Sequence, residues 1–222
     1  MADYATEEEQ LEALKRWWRE NGRAVLLGAT LGVLALAGWR GWEYYTEQRA
    51  LAASAIYDQL LQGLDERDHA AVSGHAETLR SEYGDTTYAA LAAFAAAGLA
   101  VEQGELEAAA GSLRWVLDHA DDPNMTALAR LRLARVREAA GEVEAALALL
   151  EAEVPAAYAA LYAETRGDML HEQGDAAGAA AAYQRALDAE VGPASPGLVE
   201  YKLNQVRGAL PAGATDATDP DS

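Results

Sequence analysis

One uninterrupted apolar run near the N-terminus constrains this chain more than any other feature. Residues 24–39 read AVLLGATLGVLALAGW, carry no charge and lie between Arg23 and Arg40. At about 1.5 Å per residue the run reaches about 24 Å as a helix, and about 28 Å if it extends to Trp42. Because a bilayer core is about 30 Å thick, we predict a transmembrane helix over residues 24–42 in which Arg40 extends to the far interface.

Aromatic side chains flank this run on both sides, and such rings favour the headgroup layers of a bilayer. They are Trp17, Trp18, Trp39, Trp42, Tyr44 and Tyr45. A cleaved signal peptide is the main alternative, because Ala35 and Ala37 fit a small-x-small cleavage site. The long acidic leader and the aromatic cluster beyond that site argue against cleavage. A buried core helix is the third interpretation.

The basic residues near the span indicate its orientation. Lys15, Arg16, Arg19 and Arg23 precede the run, whereas Arg40 and Arg49 follow it. The more basic flank stays in the cytoplasm, so we predict a cytoplasmic segment over residues 1–23 and a single-pass type II topology. The domain after the span then faces the periplasm of a Gram-negative cell. The chain has no cysteine, which excludes disulfides and thiolate metal sites but is silent about the compartment.

Two further patterns concern the anchor. Gly28 and Gly32 form a GxxxG motif, which predicts a face for close helix packing, although Gly and Ala are also common background in spans. Before the span, apolar side chains recur at helical spacing and predict a short amphipathic helix at the cytoplasmic interface. Those side chains are Leu11, Leu14, Trp17 and Trp18.

The rest of the chain predicts helical repeats. It is rich in Ala, Leu, Glu and Arg, which favour helices, and no stretch alternates like a strand. Gly104, Gly141 and Gly174 each end a helical stretch and begin the similar segments GELEAAA, GEVEAAL and GDAAGAA. Their spacing is close to the roughly 34 residues of a tetratricopeptide repeat, abbreviated TPR. A glycine there allows the left-handed turn that ends a helix.

Aligning the three glycines reveals a pattern of side-chain size. Small residues lie seven positions before and five positions after each glycine, and a large residue lies nine positions after it. The three sets are Ala97, Ala134 and Gly167; Ala109, Ala146 and Ala179; and Leu113, Leu150 and Tyr183. Small residues let two helices of a hairpin approach, and a large one fills the gap to the next repeat. We therefore predict an all-α fold, with one transmembrane helix followed by a TPR-like α-solenoid of helical hairpins over residues 43–210.

Other segments complete the predicted architecture. Residues 43–64 continue the membrane helix outward, and residues 75–83 form the second arm of a hairpin that ends at Gly84. Residues 197–210 form a last helix that caps the stack. Its predicted buried positions are Leu198, Tyr201, Leu203 and Val206. The small, acidic segment 211–222 is predicted to be a disordered tail.

The charge of the chain bears on its partners. It has 36 Asp and Glu against 17 Lys and Arg, a net charge of −19, which disfavours nucleic acid and repels an anionic membrane face. Such charge favours solubility, or alternatively a preference for basic client segments. The aromatic residues of the repeats are more typical of a core than of a partner contact. These are Trp115, Tyr158, Tyr162 and Tyr183.

No catalytic, cofactor or metal site is predicted, so we do not expect an enzyme. The histidines are never spaced as HxH or HExxH, and we expect each to be a solvated surface residue. They are His69, His75, His119 and His171. The sequence GPASPG at residues 192–197 lacks the lysine of a phosphate-binding loop.

Four blocks of sequence resemble the YfgM family. They are ENGR at residues 20–23, LGVLALAGWRGW at 31–42, LRLARV at 131–136 and RGDMLHEQGD at 166–175. The resemblance implies a single-pass inner-membrane protein of Gram-negative bacteria with a periplasmic TPR-like domain, acting as an ancillary subunit of the SecYEG translocon. It also implies association with a membrane-anchored periplasmic chaperone of the prolyl isomerase type and with secreted client proteins. The residues themselves also allow an envelope scaffold in division or wall synthesis that is unconnected to secretion.

Overall fold

The computed structural model describes residues 7–209, and these residues form nine α-helices and no strand. The helices are α1 Glu7–Glu66, α2 His69–Glu82, α3 Thr87–Glu102, α4 Leu106–His119, α5 Pro123–Ala139, α6 Val143–Leu149, α7 Ala156–Glu172, α8 Ala176–Leu187 and α9 Pro196–Gly208. The predicted all-α class is confirmed. The predicted disordered tail, residues 211–222, lies outside the described residues.

The chain divides into two compact units, Met1–Ala52 and Ala53–Ser222. Helix α1 has no break, so the prediction of a separate amphipathic helix before the span is wrong. Gly22 lies just before the apolar run, where the predicted break would fall. A glycine at this position destabilises a helix by only about 1 kcal/mol, and the neighbouring Leu, Ala, Glu and Arg residues favour the helix enough to offset it. The prediction that the helix continues through residue 64 is confirmed, because α1 ends at Glu66.

The second unit is built from helical hairpins joined by one type of turn. The left-handed φ predicted for the three glycines is confirmed, at 75° for Gly104, 80° for Gly141 and 81° for Gly174. In each turn, the next residue donates its backbone N–H to a carbonyl five positions earlier, as in Glu105 to Ala100 at 2.8 Å. This Schellman geometry satisfies the carbonyls that the end of a helix leaves free.

The turn between α1 and α2 has the same geometry without a glycine. Arg67 adopts a φ of 58°, and the N–H of Asp68 donates to the carbonyl of Gly63 at 2.8 Å. The glycine pattern does not place this turn in the same series, because a non-glycine residue fills its left-handed position. The hairpin predicted before the repeats is thus confirmed: the end of α1 and α2 form it, and the hairpins α3–α4, α5–α6 and α7–α8 follow.

The predicted size pattern is confirmed in the three later hairpins. Its small and large positions are all buried, and the closest approach is at Gly167, where an added Cβ would lie 2.5 Å from the ring of Tyr183. At the corresponding offsets from Arg67, the first hairpin instead buries Leu60 and Ala76 in one cluster. The large residue there precedes the turn and the small residue follows it.

One predicted boundary and one predicted face need correction. Helix α2 begins at His69 rather than residue 75, because the side chain of Asp68 accepts a hydrogen bond from the Ala71 N–H at 3.0 Å and caps the helix. In α9, Leu203 and Val206 are buried as predicted, together with Val199. Leu198 and Tyr201, however, are 51% and 64% exposed. At about 100° per residue, they lie well away from the buried stripe that Val199 begins.

The aromatic residues assigned to the core are buried to different extents. Tyr162 and Tyr183 are buried, which confirms the prediction for them, whereas Trp115 and Tyr158 are partly buried at the edges of clusters. The Tyr162 hydroxyl donates to the carbonyl of Ala127 at 2.7 Å, so this side chain ties α7 to α5. These rings therefore join neighbouring repeats.

Candidate membrane anchor and binding groove

The apolar part of α1 has the properties of a membrane anchor. Within residues 7–209, α1 is the one helix long and apolar enough to cross a bilayer, and only 6% of its most apolar window is buried. A core helix of a soluble protein would bury such side chains against its neighbours. The exposed aliphatic residues are Val25, Leu26, Leu27, Leu31, Val33, Leu34 and Leu36.

The two glycines of the predicted packing face are open in the structure. A Cβ added at Gly28 or Gly32 would meet no atom within 4 Å. The hydroxyl of Thr30, between them in sequence, donates to the carbonyl of Leu26 at 2.8 Å and is satisfied within the helix. The face has no partner among the described residues, so close helix packing at Gly28 and Gly32 stays a prediction.

The second unit has an apolar groove between α3 and α5, with α4 as its floor; we name it the α3–α5 groove. Its volume is about 500 Å³. It is lined by Phe94, Ala97, Gly98, Val101, Glu102, Leu106, Leu113, Arg132, Arg135, Val136 and Ala139. Phe94, Leu113 and Val136 are buried in the underlying core, whereas Val101 is 46% exposed at the rim. A pocket with apolar walls and few polar groups is typical of a binding site.

Two arginines at this groove form no salt bridge among the described residues. The guanidinium of Arg132 lies 4.9 Å from the ring centroid of Phe94, and Arg135 Nη2 donates to the neutral hydroxyl of Thr165 at 3.4 Å. Neither forms a salt bridge within the described part of the chain. By contrast, Arg137, further along the same helix, contacts both Glu107 and Glu142 at 2.8 Å. The groove therefore offers uncommitted positive charge in an acidic protein.

A second groove of about 530 Å³ lies beside the short helix α6 and is lined by parts of α7 and α8. Arg166 in this groove forms an ion pair with Glu151 at 3.0 Å. Its Nε atom is buried and has no hydrogen-bond partner among the described residues. Because Arg166 is already paired with Glu151, it is less available to a ligand than the arginines of the α3–α5 groove.

A polar network fastens the last helix to the stack. Lys202 in α9 contacts Glu164 at 2.9 Å and Asp168 at 2.8 Å, and the Tyr183 hydroxyl donates to Asp168 at 2.8 Å. Burial and the hydrogen bond to Asp168 raise the pKa of Tyr183. Burial alone would lower the pKa of Lys202, but its hydrogen bonds with Asp168 and Glu164 raise it.

Negative charge accumulates between α5 and α7. Burial, followed by the nearby charges of Glu172 and Asp168, raises the pKa of Glu138, whereas Arg135 acts to lower it. Glu138 thus lies at the boundary between the arginines of α5 and the carboxylates of α7.

The histidines contact groups within the fold. His69 Nδ1 shares a hydrogen bond with Gln103 Nε2 at 2.7 Å, and His119 stacks on Trp115 with ring centroids 4.3 Å apart. His69, His119 and His171 are exposed, as expected, but His75 is partly buried. No group of three or more His, Cys, Asp or Glu residues in the described ranges is arranged to hold a metal ion.

Sequence reasoning did not identify the groove arginines. Arg132 and Arg135 both lie within the block LRLARV, which was used only for the family resemblance. The available signal was the local concentration of Arg130, Arg132, Arg135 and Arg137 on one helix of an acidic chain. Which of these four would lack a carboxylate depended on residues about 30 positions away, such as Glu107 and Thr165.

Comparison with known proteins agrees with this architecture. Residues 15–208 match the family described as tetratricopeptide repeat-like domain. A protein of Escherichia coli (strain K12), named ancillary SecYEG translocon subunit, is 35% identical over 93% of this chain and 99% of its own length. Proteins with the same name from Haemophilus influenzae and Neisseria gonorrhoeae are 30% and 28% identical, over 84% and 85% of this chain and 91% and 90% of their own lengths.

The match spans both the apolar helix and the repeats rather than the repeats alone. Alanine-rich helical hairpins by themselves would align with many unrelated solenoids, whereas near end-to-end similarity requires the same anchor in the same place. The chain therefore belongs to the YfgM family, whose relatives are named ancillary SecYEG translocon subunits and carry a tetratricopeptide repeat-like domain.

Proposed function

We propose that this chain is an ancillary subunit of the SecYEG translocon, held in the inner membrane by α1. The observation that carries the proposal is the end-to-end similarity to relatives of that name, combined with an exposed apolar helix and a repeat domain. In this proposal the chain is a non-catalytic binding protein without a cofactor. Its repeat domain binds other proteins on the far side of the membrane.

The finer parts of the proposal concern orientation and partners. Residues 1–23 lie in the cytoplasm, residues 24–42 cross the membrane and residues 43–210 lie in the periplasm, as the distribution of basic residues favours. Gly28 and Gly32 form the face of the span that packs against a translocon helix. The repeat domain contacts a membrane-anchored prolyl isomerase-type chaperone and secreted proteins that emerge from the translocon.

Site-specific photo-crosslinking in native membranes tests the assignment. A photoreactive residue at Gly28, Gly32 or Leu36 samples one face of α1, and Leu27 and Leu34 are control positions on the opposite face. We expect adducts with SecY, SecE or SecG from the first set and mainly lipid from the controls. Adducts only with division or wall-synthesis proteins would contradict the translocon assignment and support an envelope scaffold.

The absence of cysteine makes the orientation simple to measure. Ala13→Cys and Ser73→Cys place one thiol at an exposed position on each side of the apolar segment. After permeabilisation of the outer membrane, a membrane-impermeant maleimide should label Ser73→Cys but not Ala13→Cys. The reverse pattern would place the repeat domain in the cytoplasm, and labelling of Ser73→Cys on a shortened chain that has lost its N-terminal segment would indicate cleavage.

A further inference from the structure

We propose that the α3–α5 groove binds a segment of a partner protein that combines apolar side chains with a carboxylate. The proposal deepens the proposed function and rests on it, because it names the chemistry of the partner that the repeat domain recognises. It has an apolar part and an electrostatic part, which different residues provide.

The apolar part comes from the floor and rim of the groove. Phe94 and Leu113 form a buried floor, while Gly98 and Val101 at the rim are exposed. The groove is therefore an open trough on the surface rather than a closed cavity. A trough suits a length of polypeptide that enters and leaves, whereas an acyl chain of a lipid requires walls on all sides to leave water.

The electrostatic part comes from Arg132 and Arg135. An arginine offers five N–H donors, and stacking on Phe94 covers a face of the Arg132 guanidinium without using the donors at its edge. Arg135 donates to one neutral hydroxyl, that of Thr165. The lining contains one carboxylate, Glu102, so the groove keeps a positive balance. Charge complementarity therefore requires an acidic group on the partner.

The net charge of the chain favours a basic partner, whereas the charge inside the α3–α5 groove favours an acidic one. The net charge of −19 favours basic partners at a distance, but surface charges are screened beyond about 8 Å at physiological salt. A segment inside the groove mainly experiences the two arginines, which lie on its wall. Two arginines line the second groove, beside α6, and one of them, Arg166, pairs with Glu151, so among the described residues only Arg185 keeps its charge without a salt bridge there.

Gly98 allows the groove to be filled without disturbing the fold. It lies within α3, is exposed, and a Cβ there would meet no atom within 4 Å. Because glycine is a poor helix former, Gly98→Ala and Gly98→Met should both keep or raise the melting temperature. The longer side chain of Gly98→Met occupies the trough, whereas Gly98→Ala leaves it open.

The experiment is isothermal titration calorimetry of the full chain in neutral detergent micelles with capped peptides. The probe is acetyl-GSLLDELGS-amide, whose only charges are its two side-chain carboxylates. The comparison peptides are acetyl-GSLLNQLGS-amide and acetyl-GSLLKKLGS-amide. The variants are Arg132→Gln/Arg135→Gln, Gly98→Met and Gly98→Ala. The matched control is Arg114→Gln/Arg185→Gln, which removes two exposed arginines outside the α3–α5 groove.

We expect the acidic peptide to bind the wild type, with an affinity about tenfold lower in Arg132→Gln/Arg135→Gln, as the loss of two solvent-exposed ion pairs would give. Gly98→Met should weaken binding by a similar factor, while Gly98→Ala and the control pair should not. The neutral peptide should bind more weakly and the lysine peptide weakest. Higher salt should reduce the preference for the acidic peptide.

Several results would overturn the proposal. These are no binding of the acidic peptide at millimolar concentration, equal binding of the lysine peptide, or an equal loss in the control pair. Displacement of the peptide by dodecanoate at lower concentration would instead assign the groove to an acyl chain. Repeating the crosslinking at Gly28 with Arg132→Gln/Arg135→Gln separates the two proposals, because translocon adducts should persist in this variant even if the groove binds nothing.

Discussion

The first hairpin of the second unit, α1–α2, and its last hairpin, α7–α8, place their large and small residues on opposite sides of the turn. In the last hairpin, Gly167 precedes the turn and Tyr183 follows it, with the ring pressed against the glycine backbone. In the first hairpin, Leu60 precedes the turn and Ala76 follows it, and both are buried. The turns differ likewise, since Gly174 has a φ of 81° in one and Arg67 a φ of 58° in the other.

The comparison teaches that a hairpin needs one large and one small side chain at the two facing positions. Which of the two positions holds the large side chain can differ between hairpins. Interiors are close-packed, so one side of a helix contact can be large only where the other is small. The last hairpin also adds polar contacts to its packing, because the Tyr183 hydroxyl reaches Asp168, which in turn contacts Lys202. The first hairpin has purely apolar residues at the matching positions.

The most disruptive test of this comparison is Tyr183→Ala, which empties the large position of the last hairpin. We expect a loss of about 3–5 kcal/mol in the free energy of unfolding, measured by urea denaturation of the full chain in detergent. Gly167→Leu/Tyr183→Ala, which imitates the first hairpin, should recover part of that loss. If the double variant is instead less stable than Tyr183→Ala, volume is not exchangeable between the two positions.

A smaller change tests the close approach itself. In Gly167→Ala, the new Cβ would lie 2.5 Å from the Tyr183 ring, so the helices must separate. We expect the unfolding free energy to fall by about 1–3 kcal/mol. The control is Gly98→Ala in the open groove, where the same substitution should raise it by up to about 1 kcal/mol. Equal effects at both glycines would mean that helix propensity, rather than packing, determines the result.

The polar network of the last hairpin predicts a dependence on alkaline pH. Tyr183 and Lys202 both have raised pKa values in the folded state, so above about pH 10 the unfolded chain releases their protons first. Their contribution to the free energy of unfolding is complete below the pKa values of the unfolded chain, and it is lost as pH rises through the pKa values of the folded chain. Stability should therefore fall above pH 10.

Tyr183→Phe and Lys202→Met each remove one of these two titrations and should make that fall less steep. The measurement is the urea midpoint between pH 8 and pH 11. Tyr201→Phe is the control, because Tyr201 is exposed in the same region. An equal change in slope for Tyr201→Phe would indicate that the buried network is not responsible.

The smallest expected effects concern the turns. Arg67→Gly should raise the unfolding free energy by about 1 kcal/mol, because a side chain resists the left-handed region. Gly104→Arg, the reciprocal change in the second hairpin, should lower it by a similar amount. Thermal melting followed by circular dichroism is sensitive enough to detect both. Two shifts of the same sign would show that these turns are not equivalent.

The features predicted from the sequence were those that one residue type imposes by itself. Gly104, Gly141 and Gly174 predict left-handed turns, and the apolar run predicts an exposed helix. The α1–α2 hairpin was predicted, but its turn was not located, because the turn depends on Arg67, a residue without a turn preference.

Features that depend on several elements together were beyond sequence reasoning. The buried stripe of α9 could not be placed without its neighbour α8, so Leu198 and Tyr201 were assigned to the wrong face. The character of the α3–α5 groove depends on which carboxylates reach the arginines of α5. Arg137 pairs with Glu107 on α4, whereas Arg135 donates a hydrogen bond to a hydroxyl on α7. Pairings of this kind join residues about 30 positions apart and leave no periodic signal in the sequence.

The contacts of the repeat unit run between neighbouring helices or next neighbours, as between α3 and α4, α4 and α5, and α8 and α9. A chain of this kind needs no distant segment to complete its early hairpins, and low contact order favours rapid folding. If residues 43–210 cross the membrane from the N-terminal side, each hairpin can form soon after it emerges and provide the surface for the next. The domain can thus assemble vectorially during its own export, in the order in which it is synthesised.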